Sequence, residues 1–293
     1  PDSDVPDSAG LAPQDVTLVG VPETPSAPLV ADAAPAFAMD ANTGDLVTFM
    51  SDTPGTWTVI GNTGIGGPFA GDFLNADFSK MYVLDYYTNA LYGVDTATAN
   101  ATVIGTATPQ SGQVWTGMTA SVDGTLYASS TDGSQSYLYT VDPSTGATTV
   151  VGEIANGPIV IDIAINTDGE MYGLDIGSDV LLEIDPNTGA GTVVGSVGFN
   201  ASYAQGMDFE EESGILYLAA FNVGNFLGEL RVADTETGNS VLVGTFPGGA
   251  EVDCLSFATG GSADVPWLTE SPVEGSVLAT GNTPVTVDFD SVY

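Results

Sequence analysis

The run Met171-Tyr-Gly-Leu-Asp175, then Leu181-Leu-Glu-Ile184, then Asp185-Pro-Asn-Thr-Gly189 and Thr192-Val-Val-Gly195, decides the fold. Its first two segments are short, β-rich and apolar, as strands are. The turn that follows carries its own logic. Asp at the first position caps the turn through its side chain, Pro presets φ at the second, and Gly accepts φ > 0 at the end. A β-branched strand ending in Val-Gly closes the unit. Outward from this stretch, the closing phrase returns as Thr58-Val-Ile-Gly61, Thr102-Val-Ile-Gly105, Thr149-Val-Val-Gly152 and Val241-Leu-Val-Gly244, with a sixth copy at Thr17-Leu-Val-Gly20. The glycines are 41, 44, 47, 43 and 49 residues apart. The turn also recurs, as Asp142-Pro-Ser-Thr-Gly146 and Asp234-Thr-Glu-Thr-Gly238, and one strand early as Asp40-Ala-Asn-Thr-Gly44.

Each period has room for three further strands. Met81-Tyr-Val-Leu84, Leu126-Tyr-Ala128 and Leu216-Tyr-Leu-Ala219 match Met171-Tyr-Gly-Leu174, while Gly117-Met-Thr-Ala120, Asp162-Ile-Ala-Ile165 and Gly206-Met-Asp-Phe209 open their periods. Four antiparallel strands in about 44 residues, repeated in register, predict an all-β β-propeller of four-stranded blades. A β-sandwich gives no reason for one phrase to return in register. Innermost strands are expected near Ala27, Ala70, Trp115, Val160, Tyr203 and Glu251, which favours six blades, with five as the alternative. A last blade closed by both chain ends would join the sixth inner strand to Val16-Thr-Leu-Val19.

Over about residues 15–260 these repeats resemble those of bacterial secreted β-propeller proteins with an LYGLD…IDPxTGxxTxVG pattern. Such repeats occur in surface, adhesive and protease-associated proteins, so the resemblance implies architecture rather than one activity. Residues 1–14 are polar and proline-punctuated and predict an extended N-terminal arm, with the propeller over 15–262. From Asp264, the run Val-Pro-Trp267-Leu-Thr-Glu-Ser-Pro272 and then Pro284-Val285-Thr-Val287-Asp-Phe-Asp290 resembles the opening of bacterial immunoglobulin-like modules, PWLxxSPxxGxV…VTVxFD. Residues 263–293 are therefore read as a short partial β-sandwich of that kind, or as strands completing the last blade.

Composition narrows the function. In 293 residues there are 2 Lys+Arg against 38 Asp+Glu, no histidine, and a formal net charge of −36. Without a basic patch, neither nucleic acid nor an anionic membrane surface is an expected partner. Without histidine there is no Ser-His-Asp triad, Cys-His pair or imidazole zinc site. No apolar run is long enough for a transmembrane helix, so membrane insertion is not expected. Cys254 has no partner for an intrachain disulfide and is expected to be a small buried residue. An acidic, Thr/Gly-rich chain offering trypsin-like proteases only Lys80 and Arg231 is expected to be secreted, extracellular or on the cell surface. A halophile's cytoplasm is the rival setting, although such proteins usually carry more acid.

Candidate sites are few. Asp72, Asp162, Asp208 and Asp253 fall on inner strands, with Asp72 and Asp162 at equivalent positions, and could hold calcium at the channel. The competing reading makes them decorations of a channel mouth. The run Asp208-Phe-Glu-Glu-Glu-Ser213 reads as a solvated turn. Asn100 and Asn200 head glycosylation sequons. Trp57, Trp115 and Trp267 could stack on glycans, whereas Tyr82, Tyr127, Tyr172 and Tyr217 recur once per period, as a packing position does. Two carboxylates could hydrolyse a glycoside, but the acids are too evenly spread to nominate a pair. No enzymatic activity and no certain cofactor are expected. The expectation is a structural or adhesive surface protein that self-associates as a homopolymer through β-strand contacts. Val16, Thr17, Leu18 and Val19, with Trp267, Val285 and Val287, are its assembly residues. A glycan-binding or accessory module of a larger secreted enzyme is the alternative.

Overall fold

The computed structural model describes residues 33–259 except residue 204. In chain order the strands are β1 (Pro35–Asp40), β2 (Asp45–Met50), β3 (Trp57–Asn62), β4 (Pro68–Phe73), β5 (Lys80–Asp85), β6 (Ala90–Asp95) and β7 (Ala101–Thr106). They continue as β8 (Val114–Ala120), β9 (Leu126–Thr131), β10 (Ser136–Val141), β11 (Thr148–Ile154), β12 (Val160–Ile165), β13 (Met171–Asp175), β14 (Val180–Ile184) and β15 (Gly191–Ser196). The last five are β16 (Gly206–Glu210), β17 (Ile215–Asn222), β18 (Leu227–Ala233), β19 (Ser240–Thr245) and β20 (Val252–Phe257).

These strands form five antiparallel four-stranded sheets, in the orders β20-β1-β2-β3, β4-β5-β6-β7, β8-β9-β10-β11, β12-β13-β14-β15 and β16-β17-β18-β19. The inner strands pack around one axis, β4 on β8, β8 on β12, β12 on β16, β16 on β20, and β20 on β4. The protein is a five-bladed β-propeller, the smaller of the two counts that the repeat allows. The favoured six counted the strand near Glu251 as the start of another blade. It is β20, the inner strand of the first blade, paired with β1 through Ala36↔Phe257 and Asp40↔Val252. Closure by both ends of the ring thus occurs, but the N-terminal contribution is Pro35–Asp40. The strand expected near Ala27, the arm at 1–14, Val16–Val19 and the segment 263–293 lie outside the described residues.

The core is divided among the blade interfaces. Five clusters of buried apolar side chains each join two neighbouring blades; one, for example, packs Leu138 and Ile154 against Ile163, Met171 and Leu182. Inner strands such as β12 are buried throughout, because both faces meet a neighbouring blade. Tyr82, Tyr172 and Tyr217 are buried in these interfaces, and Tyr127 packs partly buried against another, so the recurring tyrosine is a packing position. Cys254 is fully buried between the first and second blades, as its surroundings predict.

The two recurring phrases meet in three dimensions. A Cβ built on Gly105, Gly152 or Gly195 would fall on the carbonyl oxygen of Thr145, Thr188 or Thr237, which belongs to the Asp-x-x-Thr-Gly turn of the next blade. Only glycine lets an outer strand approach that turn. In the turn itself, Asp185 Oδ1 accepts from Asn187 N at 2.9 Å, and Gly189 takes φ +78°. In every blade, pairing of the third and fourth strands shifts register at the residue before the phrase's glycine. That bulge increases the local twist of the outer strand.

Candidate functional site

Each inner strand faces the axis with one edge that has no adjacent strand in its own sheet, so its amide groups need other partners. The aspartates supply them. Ala120 N of β8 donates to Asp72 Oδ2 at 2.7 Å, Met118 N and Met207 N donate to Asp162 Oδ1 and Oδ2 at 3.2 and 2.7 Å, and Phe257 N of β20 donates to Asp208 Oδ2 at 2.7 Å. Hydroxyls complete the circle. Ile165 N donates to Thr119 Oγ1 at 3.1 Å, Thr116 Oγ1 donates to the carbonyl of Val160 at 2.7 Å, and Ser256 Oγ donates to the carbonyl of Gly71 at 3.1 Å. Side-chain-to-backbone bonds thereby span all five inner-strand contacts. Three of the four candidate calcium aspartates spend oxygens on this clasp.

The register also corrects their alignment. Asp72 lies opposite Tyr82 and Asp208 opposite Tyr217, whereas Asp162 lies opposite Leu174 and Asp253 opposite Met39. Asp72 is therefore equivalent to Asp208 and not to Asp162, and the four acids occupy two levels of the ring. Among the described residues, no group of three or more His, Cys, Asp or Glu is arranged to hold a metal ion.

Burial dominates the electrostatics. It raises Asp72 to about 7, although the N–H groups of Ala120 and Phe73 act the other way. Burial, followed by the charge of Asp72, holds Asp208 well above the ordinary carboxylate range. Asp162 and Asp253 are raised in the same sense, first by burial. Asp253 Oδ1 is buried without a hydrogen-bond partner, as a neutral carboxyl tolerates better than a carboxylate.

At one end of the ring, a cavity of about 480 Å³ opens over Asp72 and Asp208, with Glu211, Asn75 and Thr167 among its polar walls and Phe73 and Phe78 among its apolar ones. Glu211 is half-buried there and raised by burial and then by the charge of Glu210. Glu210 is buried and accepts from Ser213 N at 2.8 Å, and Glu212 is exposed, so the expected acidic turn is only partly solvated. Thr116, Thr119 and Ser256 were not singled out by the sequence, because their roles depend on which strand sits beside them.

The remaining candidates are dispersed. Asn100 and Asn200 are both exposed. Trp115 is fully buried, its Nε1 donating to the Ala107 carbonyl at 2.9 Å, so it offers no face to a sugar, and Trp57 is half-buried with one face stacked on Phe246. Both cations are engaged within the fold. Arg231 Nη1 meets Glu229 Oε2 at 2.6 Å, and Lys80 Nζ lies 4.3 Å from the Tyr82 ring centre. Val16, Thr17, Leu18, Val19, Trp267, Val285 and Val287 lie outside the described residues. No helix of the described residues is long and apolar enough to cross a membrane.

The family model described as a repeat of unknown function, DUF6923, matches residues 83–258, more than half of the chain. The chain belongs to the DUF6923 family. The matched span runs from the second blade to the inner strand that closes the ring, and so lies within the propeller. A comparison with curated proteins gives no match. Among solved structures, a chain of a nidogen/laminin complex is similar at TM-score 0.50 and 10% identity, over 77% of this chain and 98% of that one. A protein of unknown function from Bacteroides thetaiotaomicron is similar at TM-score 0.50 and 14% identity, over 72% and 58%. The calcium-binding protein regucalcin from Agrobacterium tumefaciens is similar at TM-score 0.48 and 19% identity, over 76% and 74%. At such identities the likeness is one of fold.

Proposed function

We propose that this DUF6923 protein is a non-enzymatic structural or adhesive subunit of an extracellular surface assembly, joined to its neighbours by β-strand contacts at the rim. The observation that carries this reading is the outer strand of each blade. Val59, Val103, Val150 and Val193 stand exposed on four of these strands, and Val241, Leu242 and Val243 on the fifth. An edge strand with exposed apolar side chains is a template for pairing with another chain. The clasp supports the absence of chemistry in this reading, since Asp72, Asp162 and Asp208 are engaged with backbone amides. The resemblance of residues 264–290 to an immunoglobulin-like opening fits a surface setting. Subunits at −36 repel, so salt, divalent cations or acidic pH should favour association.

Sedimentation velocity tests this across salt concentration and pH. Association that grows with screening, and that falls in a Val59→Ser/Val103→Ser/Val150→Ser/Val193→Ser variant, is the expected result. A monomer under every condition refutes it. The second reading, a glycan-binding accessory module, draws on the cavity over Asp72 and Asp208, where carboxylate, amide and hydroxyl groups adjoin Phe73 and Phe78. Saturable binding on a glycan array, lost in Asn75→Ala, would favour it.

A further inference from the structure

We propose that β1–β3 form a detachable unit which two copies of this chain exchange, so that β1 of one copy pairs with β20 of the other. Connectivity sets the unit apart. In the other four blades the inner strand leads into its second strand through a short turn, as at residues 211–214. In the first blade the inner strand is β20, and β1 is held to it by pairing and packing alone, from Ala36↔Phe257 to Asp40↔Val252. The covalent tie of β1–β3 to the rest of the described chain is the link to β4, which reads Thr63-Gly-Ile-Gly-Gly67. Its glycines let the link take more than one path.

The unit is also the most lightly locked. At the register position that holds Met81, Leu126, Met171 and Leu216 in the other blades, β1 has Ala36. The contact between outer-strand glycine and neighbouring turn is looser as well. From the second blade to the fifth, a Cβ on Gly105, Gly152 or Gly195 would fall on a threonine carbonyl oxygen of the next turn. At both junctions of the first blade the approach is less close. A Cβ on Gly61 would lie 3.3 Å from the Thr98 carbonyl oxygen, where Ala99 stands in place of the turn's glycine. One on Gly244 would lie 2.9 Å from Pro54 Cγ.

By contrast, β20 is fastened in the ring without β1. Phe257 N donates to Asp208 Oδ2 on one side, and Ser256 Oγ donates to the Gly71 carbonyl on the other. When β1–β3 leave, β20 stays and presents a bare pairing edge between two apolar blade faces, one with Tyr217, Ala219 and Leu230, the other with Met81, Val83 and Val94. The occupant that fits is β1–β3 of another copy, whose register and side chains already match. Exchange restores every contact of the closed ring, so its cost is confined to the link, the association of two chains and their mutual repulsion at −36, which salt screens. This contact lies inside a blade and goes beyond the pairing of outer edges at the rim.

Disulfide trapping in the full-length chain reads the exchange. Asp40→Cys in one preparation and Val252→Cys in another, both with Cys254→Ala, are mixed at high concentration and high salt, in urea below the unfolding transition, and then oxidised. A disulfide between position 40 of one chain and position 252 of the other, found by mass spectrometry and growing with concentration, is the expected result, because these residues are partners in the β1–β20 register. No such disulfide, under conditions where the Asp40→Cys/Val252→Cys/Cys254→Ala chain closes its own, overturns the proposal. Hydrogen exchange of the unaltered chain keeps the test available if the cysteines do not pair. Amides of Asp45–Met50 and Trp57–Asn62 should exchange about tenfold faster or more than those of Val180–Ile184 and Gly191–Ser196. Equal protection of the two blades overturns the proposal as well. The exchange and the rim assembly fail separately. A mixture that forms the interchain disulfide yet sediments as nothing larger than a dimer keeps the exchange and loses the assembly.

Discussion

Lowering the pH from 8 to about 4.5 should stabilise this protein, the reverse of ordinary acid denaturation. The unfolded chain releases the Asp72 proton near the ordinary 3.8, and the folded protein holds it to about 7. As pH rises between these values, deprotonation favours the unfolded chain by about 1.4 kcal/mol per pH unit, or about 4 kcal/mol across the window. For a domain of this size that is about 8–16 °C in Tm. Asp162, Asp208 and Asp253 are raised by burial and act with the same sign. The exposed turn aspartates Asp95, Asp142 and Asp185 are lowered by hydrogen bonds, led by those with Thr98, Ser144 and Asn187. Their contribution is lost only as pH falls below the ordinary value, so the optimum should lie near pH 4 to 5. Calorimetry from pH 3.5 to 8.5 in high salt, which screens the net charge, is the assay. Asp72→Asn should remove about 1.4 kcal/mol per pH unit from the slope. A Tm that rises from pH 5 to 8, or a slope unaffected by Asp72→Asn, would refute the reasoning.

Asp162→Ala leaves the amides of Met118, Ile163 and Met207 without their acceptor and should cost about 3–5 kcal/mol in chemical unfolding. Gly152→Ala drives a methyl group into the Thr188 carbonyl of the next blade and should cost about 1–3 kcal/mol, measurable as a lower Tm. Arg231→Ala removes the cation beside buried Glu229, which is 2% exposed and keeps only the amide donors of Asn222 and Asn225, and should cost about 3 kcal/mol, while native Arg231 should resist trypsin.

The fold was legible because two phrases repeat, and they repeat because each outer-strand glycine receives the next blade's turn. Thr192-Val-Val-Gly195 and Asp234-Thr-Glu-Thr-Gly238 are two sides of one contact. Blade number was less legible, since the phrase near Gly20 and the inner strand at Val252 both extend the count beyond what the ring contains. Only the pairing of β20 with β1 shows where the repeat closes on itself. The aspartates on inner strands were visible, but their work was not. Asp72 acts on Ala120 and Asp208 on Phe257, each about 48 residues away, and no spacing within one repeat distinguishes an acceptor for a neighbouring strand from a cation ligand. The sequence reads Glu211 as part of a solvated turn, whereas loops of other blades partly enclose it.

Electron microscopy of the native protein most directly tests whether this ring is a building block of an assembly. Five-bladed discs in contact through their outer strands, with the apolar residues of Trp57–Asn62, Ala101–Thr106, Thr148–Ile154 or Gly191–Ser196 at the junctions, are the predicted result. Dispersed single discs, or discs joined only by segments remote from the rim, would contradict it.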